Sequence, residues 1–214
     1  MKALVSSDIE AYATAHSMPE SDTCRSLREE THRQTDCPQM LVGPLEGGFL
    51  KMLTQLAAAN HVLEVGMFTG YSALCFAEAL PKAGTVTTCE IDETSAAIAR
   101  RYFARSPHGH KITVRMGPAL DTMKAINGRY DIIFIDADKQ NYLNYYRRAK
   151  DLLSPAGVII IDNVLWDGDV LLNPAPDERT AAIQSLNQVV ASDPDVSAVL
   201  LTIRDGVFLI RRKV

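Results

Sequence analysis

The sequence predicts an α/β protein: a Rossmann-like, doubly wound, mostly parallel seven-stranded sheet with a C-terminal antiparallel hairpin and extra N-terminal helices. Three observations predict this fold. From residue 61 onward, short apolar runs alternate with helical stretches. The run at residues 157–161 has no polar side chain, which is typical of a strand covered on both faces. Finally, Asp205-Gly206 is a hairpin signal between the last two apolar runs.

The individual elements follow from composition and periodicity. The first 40 residues are polar and are predicted to form helices at 7–16 and 21–35, whereas apolar side chains at helical spacing predict a third helix at 43–59. Short apolar runs then predict strands at 61–65, 85–90, 111–116, 130–136, 157–162, 196–203 and 206–211. The stretches between them predict helices at 71–79, 93–106, 119–126, 142–153 and 178–192.

Length and composition indicate one globular domain over residues 1–214, with an N-terminal helical cap at 1–37 and a core at 38–214. Hydrophobic residues make up 47% and charged residues 22%, which excludes a disordered chain or a fibrous repeat. The apolar runs are shorter than the roughly 20 residues of a membrane span. A net charge of -4 argues against a nucleic-acid partner, because such proteins usually present a basic face.

The N-terminal residues have no apolar stretch of the kind that a signal peptide carries, so a cytoplasmic location is expected. The four cysteines form no C-x-x-C pair, and in the cytosol they are expected to be reduced thiols. Their spacing also argues against a structural zinc site.

In a parallel sheet, the residues directly after the strands are the ones that meet a ligand. After the first strand, Gly66 and Gly70 form a turn that is neither a G-x-G-x-x-G motif nor a phosphate-binding loop. The acid Glu64 beside this turn suits a cationic or hydroxyl-bearing ligand. Glu90 ends the next strand, about 20 residues further on, where a carboxylate can bind both hydroxyls of a ribose. The glycine turn and Glu90 together favour an adenosine-containing ligand over a mere tight turn.

Polar side chains also follow the fourth and fifth strands. Asp136 ends one strand, and Asp162 and Asn163 end the next. Three oxygen donors at one point suit Mg²⁺, whereas zinc is disfavoured because no cysteine or histidine is nearby. Each aspartate alone could simply cap the following helix. Their combination with Asn163 and Lys139 makes a site the better interpretation.

These residues resemble those of the cation-dependent O-methyltransferases that use S-adenosylmethionine, the caffeoyl-CoA and catechol O-methyltransferase family, and especially its small bacterial members. The resemblance covers residues 38–214. It rests on five stretches in order: residues 40–49 (MLVGPLEGGF), 63–72 (LEVGMFTGYS), 116–120 (MGPAL), 130–139 (YDIIFIDADK) and 161–166 (IDNVLW).

The resemblance implies a role for each matching residue. Glu64, Gly66 and Ser72 match positions that hold the methionine part of the cofactor. The implied metal ligands are Asp136, Asp162 and Asn163, and the implied catalytic residues are Lys139, as general base, and Asp136. The implied cofactor-binding residues are Val42, Glu64, Gly66, Met67, Gly70, Ser72, Glu90, Ala119, Asp136 and Asp138.

The implied activity is methyl transfer from S-adenosylmethionine to a vicinal-dihydroxy aromatic small molecule, catechol-like or caffeoyl-type. It would require a divalent cation, with Mg²⁺ expected and Mn²⁺ or Ca²⁺ left open. Family membership also implies a homodimer. The chain departs from several plant enzymes at Asp167, where they have asparagine, and residues 1–37 match no motif. Trp166 is interpreted equally as part of a lid or as a core aromatic.

Three other interpretations remain open on the residues alone. A non-catalytic adenosine-binding module would need Gly66, Gly70 and Glu90, but not the polar residues after the fourth and fifth strands. A nicotinamide-dependent Rossmann oxidoreductase would be expected to carry the G-x-G-x-x-G fingerprint, which is absent from the sequence. Methylation of nucleic acid would call for a basic tract interleaved with aromatic residues, and the sequence has none.

Overall fold

The computed structural model describes residues 5–213; residues 1–4, which begin the predicted N-terminal cap, and residue 214 lie outside the described part. Within that part, the α-helices are α1 (Ser7–Ala15), α2 (Asp22–Gln34), α3 (Gly43–Leu56), α4 (Tyr71–Ala79), α5 (Glu93–Arg105), α6 (Ala119–Ala125), α7 (Tyr142–Leu152) and α8 (Glu178–Ser192). The strands are β1 (His61–Val65), β2 (Thr85–Glu90), β3 (Ile112–Met116), β4 (Tyr130–Ile135), β5 (Leu153–Asp162), β6 (Val196–Leu201) and β7 (Val207–Arg212).

The seven strands form one sheet in the order β3-β2-β1-β4-β5-β7-β6. The pairs from β3 to β5 are all parallel, and β7 runs antiparallel to both β5 and β6. The predicted fold class, including the C-terminal antiparallel hairpin, is therefore confirmed. The strand order reverses between β1 and β4, and this switch point is where sheets of this kind open a crevice for ligands.

Helices cover both faces of the sheet, which explains why the central strands are apolar on both sides. Successive residues of β1 point to opposite faces, so Val62 packs in the core beneath α4 and α5, while Leu63 packs in the core beneath α7. Ile132 and Ile133 of β4 divide between the two cores in the same way. All four side chains are fully buried. This two-sided core fixes the ends of β1 and β4 relative to each other.

The N-terminal helices differ in how they attach to the core. No side chain of α1 is buried among the described residues, whereas α2 buries Cys24, Leu27 and Thr31. The Thr31 hydroxyl lies 2.8 Å from the Thr69 hydroxyl in the loop after β1. The α2 helix therefore packs against the glycine turn that the sequence singles out.

Most elements differ from the prediction by one or two residues at a boundary, and β5 and α3 differ by more. Strand β5 begins at Leu153 instead of residue 157, because Leu153 pairs with Tyr130 before an irregularity in the strand register. Pro155 and Gly157 are atypical of strands, so the sequence did not predict this extension. Helix α7 consequently ends at Leu152. Helix α3 ends at Leu56 rather than residue 59, since Ala58 has a left-handed backbone with φ of 46°. No helix between residues 5 and 213 has both the length and the apolar character that crossing a membrane requires.

Candidate functional site

The candidate site lies at the carboxyl edge of the sheet. Because β1, β4 and β5 are neighbours and parallel, the residues that follow them meet at this edge. The turn after β1 approaches β4 so closely that a Cβ on Gly66 would lie 1.9 Å from the backbone oxygen of Asp136. Gly66 also has φ of 97°, so its conformation and its surroundings both require glycine.

The glycine turn is held by β2. The Met67 amide donates to the backbone oxygen of Cys89 at 3.0 Å, and the Phe68 amide donates to Glu90 Oε2 at 2.7 Å. Gly70 then takes φ of 91° at the N-terminal end of α4. Met67, Gly70 and Ser72 are buried here, as residues of a closely packed turn.

Glu64 is a buried carboxyl group at the end of β1, with a fully buried side chain. Its Oε2 accepts a hydrogen bond from the Thr88 hydroxyl, whereas its Oε1 has no hydrogen-bond partner among the described residues. Burial raises the pKa of Glu64 to about 8, although the Ser72 and Thr88 hydroxyl groups lower it in part. The Oε1 atom therefore has room for a further donor, which the ammonium group of an amino-acid ligand could supply.

Glu90 is oriented by backbone amides at the end of β2. Besides the bond from Phe68, its Oε1 accepts from the amides of Ile91 and Asp92, at 2.7 and 2.8 Å. A carboxylate has about four lone-pair sites, so capacity remains for a hydroxyl-bearing ligand. Gly117 donates to the Glu90 backbone oxygen at 2.8 Å, and this bond brings the start of α6 at Ala119 to the same edge.

Lys139 lies at the centre of the polar cluster after β4 and β5. Its ammonium group donates to Asp136 Oδ1 at 3.0 Å and to Asn163 Oδ1 at 2.7 Å, and it also donates to the Tyr142 hydroxyl. The Trp166 ring centroid is 5.6 Å from Lys139 Nζ. The Lys139 side chain is nearly buried. Two oxygen atoms from adjacent strands therefore converge on a single cationic group.

Asp162 is the most deeply buried carboxyl group of this cluster, at 1% exposed. Burial first, and then the negative charges of Glu46 and Asp136, raise its pKa well above the usual range. Such a concentration of carboxyl groups fits a further cation. Within residues 5–213, no group of three or more His, Cys, Asp and Glu side chains is placed to hold a metal ion. A cation held by the predicted set would therefore need the Asn163 amide oxygen as its third donor, and carboxylate and amide oxygens suit Mg²⁺.

Glu46 and Arg204 are members of the site that sequence reasoning missed. Arg204 Nη1 donates to Glu46 Oε2 at 2.9 Å and also to the Val42 backbone oxygen. Burial raises the pKa of the fully buried Glu46 to about 7, while the Arg204 charge lowers it in part. Glu46 stands within the MLVGPLEGGF stretch, and that position is the signal that the sequence offered.

Asp138 differs from the other predicted site residues. It is exposed, and its oxygens accept from the Tyr145 hydroxyl at 2.5 Å and from the Asn141 side chain at 2.6 Å. These bonds hold the short helical turn that follows β4. The structure thus brings Glu64, Glu90, Asp136, Lys139, Asp162 and Asn163 to one edge of the sheet, and its contacts give Asp138 a local structural role beside the predicted one.

The fold and this strand-end arrangement define a class I, Rossmann-like methyltransferase. A family model described as O-methyltransferase matches residues 14–213. The chain is 36% identical over 205 residues to caffeoyl-CoA O-methyltransferase 1 of Arabidopsis thaliana, covering 90% of this chain and 79% of that protein.

Solved structures agree with this assignment. The O-methyltransferase from Bacillus cereus in complex with SAH superposes with a TM-score of 0.89 at 33% identity, covering 96% of this chain and 97% of that one. TomG from Streptomyces achromogenes in complex with SAM gives a TM-score of 0.89 at 27% identity, covering 97% and 96%.

The chain belongs to the O-methyltransferase family. It is an S-adenosylmethionine-dependent O-methyltransferase, as the sequence resemblance predicts. The non-catalytic module and the nicotinamide-dependent oxidoreductase are disfavoured by this membership.

Proposed function

We propose that the chain transfers a methyl group from S-adenosylmethionine to one hydroxyl of a vicinal-dihydroxy aromatic small molecule, catechol-like or caffeoyl-type, with a divalent cation, Mg²⁺ in the first instance. The observation that carries the proposal is the convergence of Asp136 Oδ1, Asn163 Oδ1 and Lys139 Nζ within 3.0 Å beside the glycine turn. Such a cluster can bind an acceptor hydroxyl group and a cation at the same point.

Each residue has a proposed task on one of the two ligands. Glu64 binds the ammonium group of the methionine part, with Gly66, Met67, Gly70 and Ser72 shaping the pocket. Glu90 binds the ribose hydroxyls. The remaining cofactor contacts are assigned to Val42, Ala119, Asp136 and Asp138, and the cation to Asp136, Asp162 and Asn163.

The proposed chemistry needs an oxygen nucleophile at the acceptor. A bound divalent cation supplies positive charge that favours ionisation of the acceptor hydroxyl, and the cofactor supplies the methyl group. Lys139 Nζ either accepts the hydroxyl proton or, as a cation, stabilises the negative oxygen. Lys139 and Asp162 are nearly buried. Water is therefore largely excluded where the negative acceptor oxygen would meet the positive sulfonium group of the cofactor. Holding both reactants in contact lowers the barrier further.

The first experiment is methyl transfer to caffeic acid and other catechols, followed by mass spectrometry with Mg²⁺ and then with EDTA. We expect a product heavier by one methyl group that disappears with EDTA. If product still forms in EDTA, the chain transfers methyl groups to this acceptor class but does not need the proposed cation. A lack of product in the presence of intact cofactor binding would exclude the proposed acceptor class.

Glu64 gives a prediction that depends on pH. With a pKa near 8, its carboxyl group is protonated at pH 7, and a bound ammonium group favours the ionised form. Binding of S-adenosylmethionine at pH 7 should therefore release about one proton. Calorimetry in two buffers of different ionisation enthalpy measures this number. The Glu64→Gln variant should bind more weakly and release none, and proton release that persists in this variant would assign it to another group.

The same pKa affects the stability of the cofactor-free chain. Glu64 retains its proton in the folded state to about pH 8, whereas the unfolded chain loses it near 4.5. The free energy of unfolding should therefore fall as the pH rises between these values.

Three further statements belong to the same proposal. Residues 1–214 act as one methyltransferase domain with residues 1–37 as its cap. The chain forms a homodimer, which exposed apolar residues such as Leu56 and Val199 support. It works in the cytosol, in keeping with its four free cysteines. Light scattering of the purified chain tests the dimer.

A further inference from the structure

The segment at 163–168, which follows β5, has an unusual backbone. Asn163, Trp166 and Asp167 have φ of 59°, 48° and 55°, and Gly168 has φ of 87°. Only a few per cent of non-glycine residues adopt this left-handed conformation, and three of them in five positions is costly. Such strain persists only where surrounding contacts fix the backbone, and it is concentrated at functional sites.

The contacts that fix this segment come from the turn between β6 and β7. Asp205 Oδ1 accepts a hydrogen bond from the Asp167 amide at 2.6 Å. The Asp205 backbone oxygen accepts from the Leu165 amide at 2.9 Å, and the Gly206 backbone oxygen accepts from the Val164 amide at 3.1 Å. Asp205 is only 3% exposed, so its bond to the Asp167 amide is shielded from water. A Cβ on Gly206 would lie 2.5 Å from Leu165, so the two segments are in direct contact.

The fixed segment carries two side chains of the Lys139 cluster. Asn163 Oδ1 accepts from Lys139, and the Trp166 ring lies over the same ammonium group. Of these three hydrogen bonds between the turn and the segment, the one to the Asp167 amide is made by a side chain. Loss of this bond would leave the left-handed residues at Trp166 and Asp167 without the acceptor that offsets their strain.

We propose that Asp205 is a positioning residue of the methyltransferase site: through the Asp167 amide it holds the 163–168 segment so that Trp166 and Asn163 face Lys139. The meaning of that geometry for catalysis rests on the proposed function. In this proposal Asp205 acts through the Asp167 amide and has no assigned contact with either reactant. Its effect should therefore appear in the acceptor end of the site, whereas cofactor binding at Glu64 and Glu90 should be preserved.

Trp166 is the single tryptophan of the chain, so its fluorescence reports on the segment directly. In Asp205→Ala, the Trp166 emission should shift to the red and become more accessible to acrylamide. The kcat/KM for the acceptor should fall by roughly 10- to 100-fold, since small displacements in a site have effects of this size. The Kd for S-adenosylmethionine should stay within about twofold. In Asp205→Asn, which retains an oxygen acceptor, emission and kcat/KM should both return towards the wild-type values.

A matched control separates positioning from stability. Asp131 also accepts backbone amides, those of Asn60 and His61 at 2.8 and 3.0 Å, but at the opposite edge of the sheet. Asp131→Ala should lower the Tm without moving the Trp166 emission. If Asp205→Ala does not fold, Asp205→Leu, which also lacks a side-chain acceptor, provides the same measurements.

The proposal is overturned if the folded Asp205 variant leaves the Trp166 emission unchanged, or if Asp131→Ala shifts it equally. Fluorescence and cofactor binding need no acceptor. A failure to find a catechol product would therefore count against the proposed function and leave this test intact.

Discussion

Replacing Asp136 with alanine is expected to abolish cation-dependent methyl transfer, with a loss of at least about 100-fold in kcat/KM. Asp136 follows the buried strand β4, and its Oδ1 lies 3.0 Å from Lys139 Nζ. It is also one of the two carboxylates in the proposed cation set, so its removal leaves a single carboxylate and an amide. Calorimetric titration with Mg²⁺ or Mn²⁺ alone should show that binding is lost, independently of any acceptor.

Two further variants make this result specific. Asp136→Asn preserves the shape of the side chain, and it should lose cation binding nearly as completely if the charge is what matters. Asp131→Ala removes an aspartate from the other end of the same strand and should leave turnover intact. Turnover of wild-type size by Asp136→Ala, unchanged by EDTA, would exclude both the cation and Asp136 from the reaction.

The strand-end residues of this site were predictable because they depend on local pattern. Apolar runs place β1, β2, β4 and β5, and the parallel arrangement then requires that their carboxyl ends share an edge. Glu64, Glu90 and Asp136 are therefore brought to one edge as expected. An acid at the end of an apolar strand is a signal that needs no knowledge of the rest of the chain.

The contacts from the C-terminal hairpin were not predictable in the same way. Glu46 and Arg204 are 158 residues apart in the sequence, and Asp205 and Asp167 are 38 residues apart. These pairs form because β7 lies between β5 and β6 in the sheet. The spacing of apolar and polar residues along the sequence does not determine that strand order. The sequence identified Asp205-Gly206 only as a turn, so its role beside the 163–168 segment emerged from the structure.

The chemical role of Lys139 can be decided by two substitutions at one position. In Lys139→Ala, kcat should fall by about 10²- to 10⁴-fold, the range observed when a group that transfers a proton is lost. Cofactor affinity should fall far less than kcat, because the described contacts of Lys139 include one proposed cofactor residue, Asp136, and neither Glu64 nor Glu90. Stopped-flow or mass-spectrometric turnover, together with a calorimetric Kd, separates the two effects.

Lys139→Arg then distinguishes proton transfer from electrostatic stabilisation. Arginine retains the positive charge but cannot accept a proton. Activity that survives in this variant would identify a cation that stabilises the negative oxygen, whereas a loss equal to that of alanine favours the proton acceptor. Lys111→Ala is the matched control, since Lys111 is also buried but donates to the Ala77 and Leu80 backbone oxygens. A weakened cofactor Kd with unchanged kcat in Lys139→Ala would remove Lys139 from the chemistry altogether.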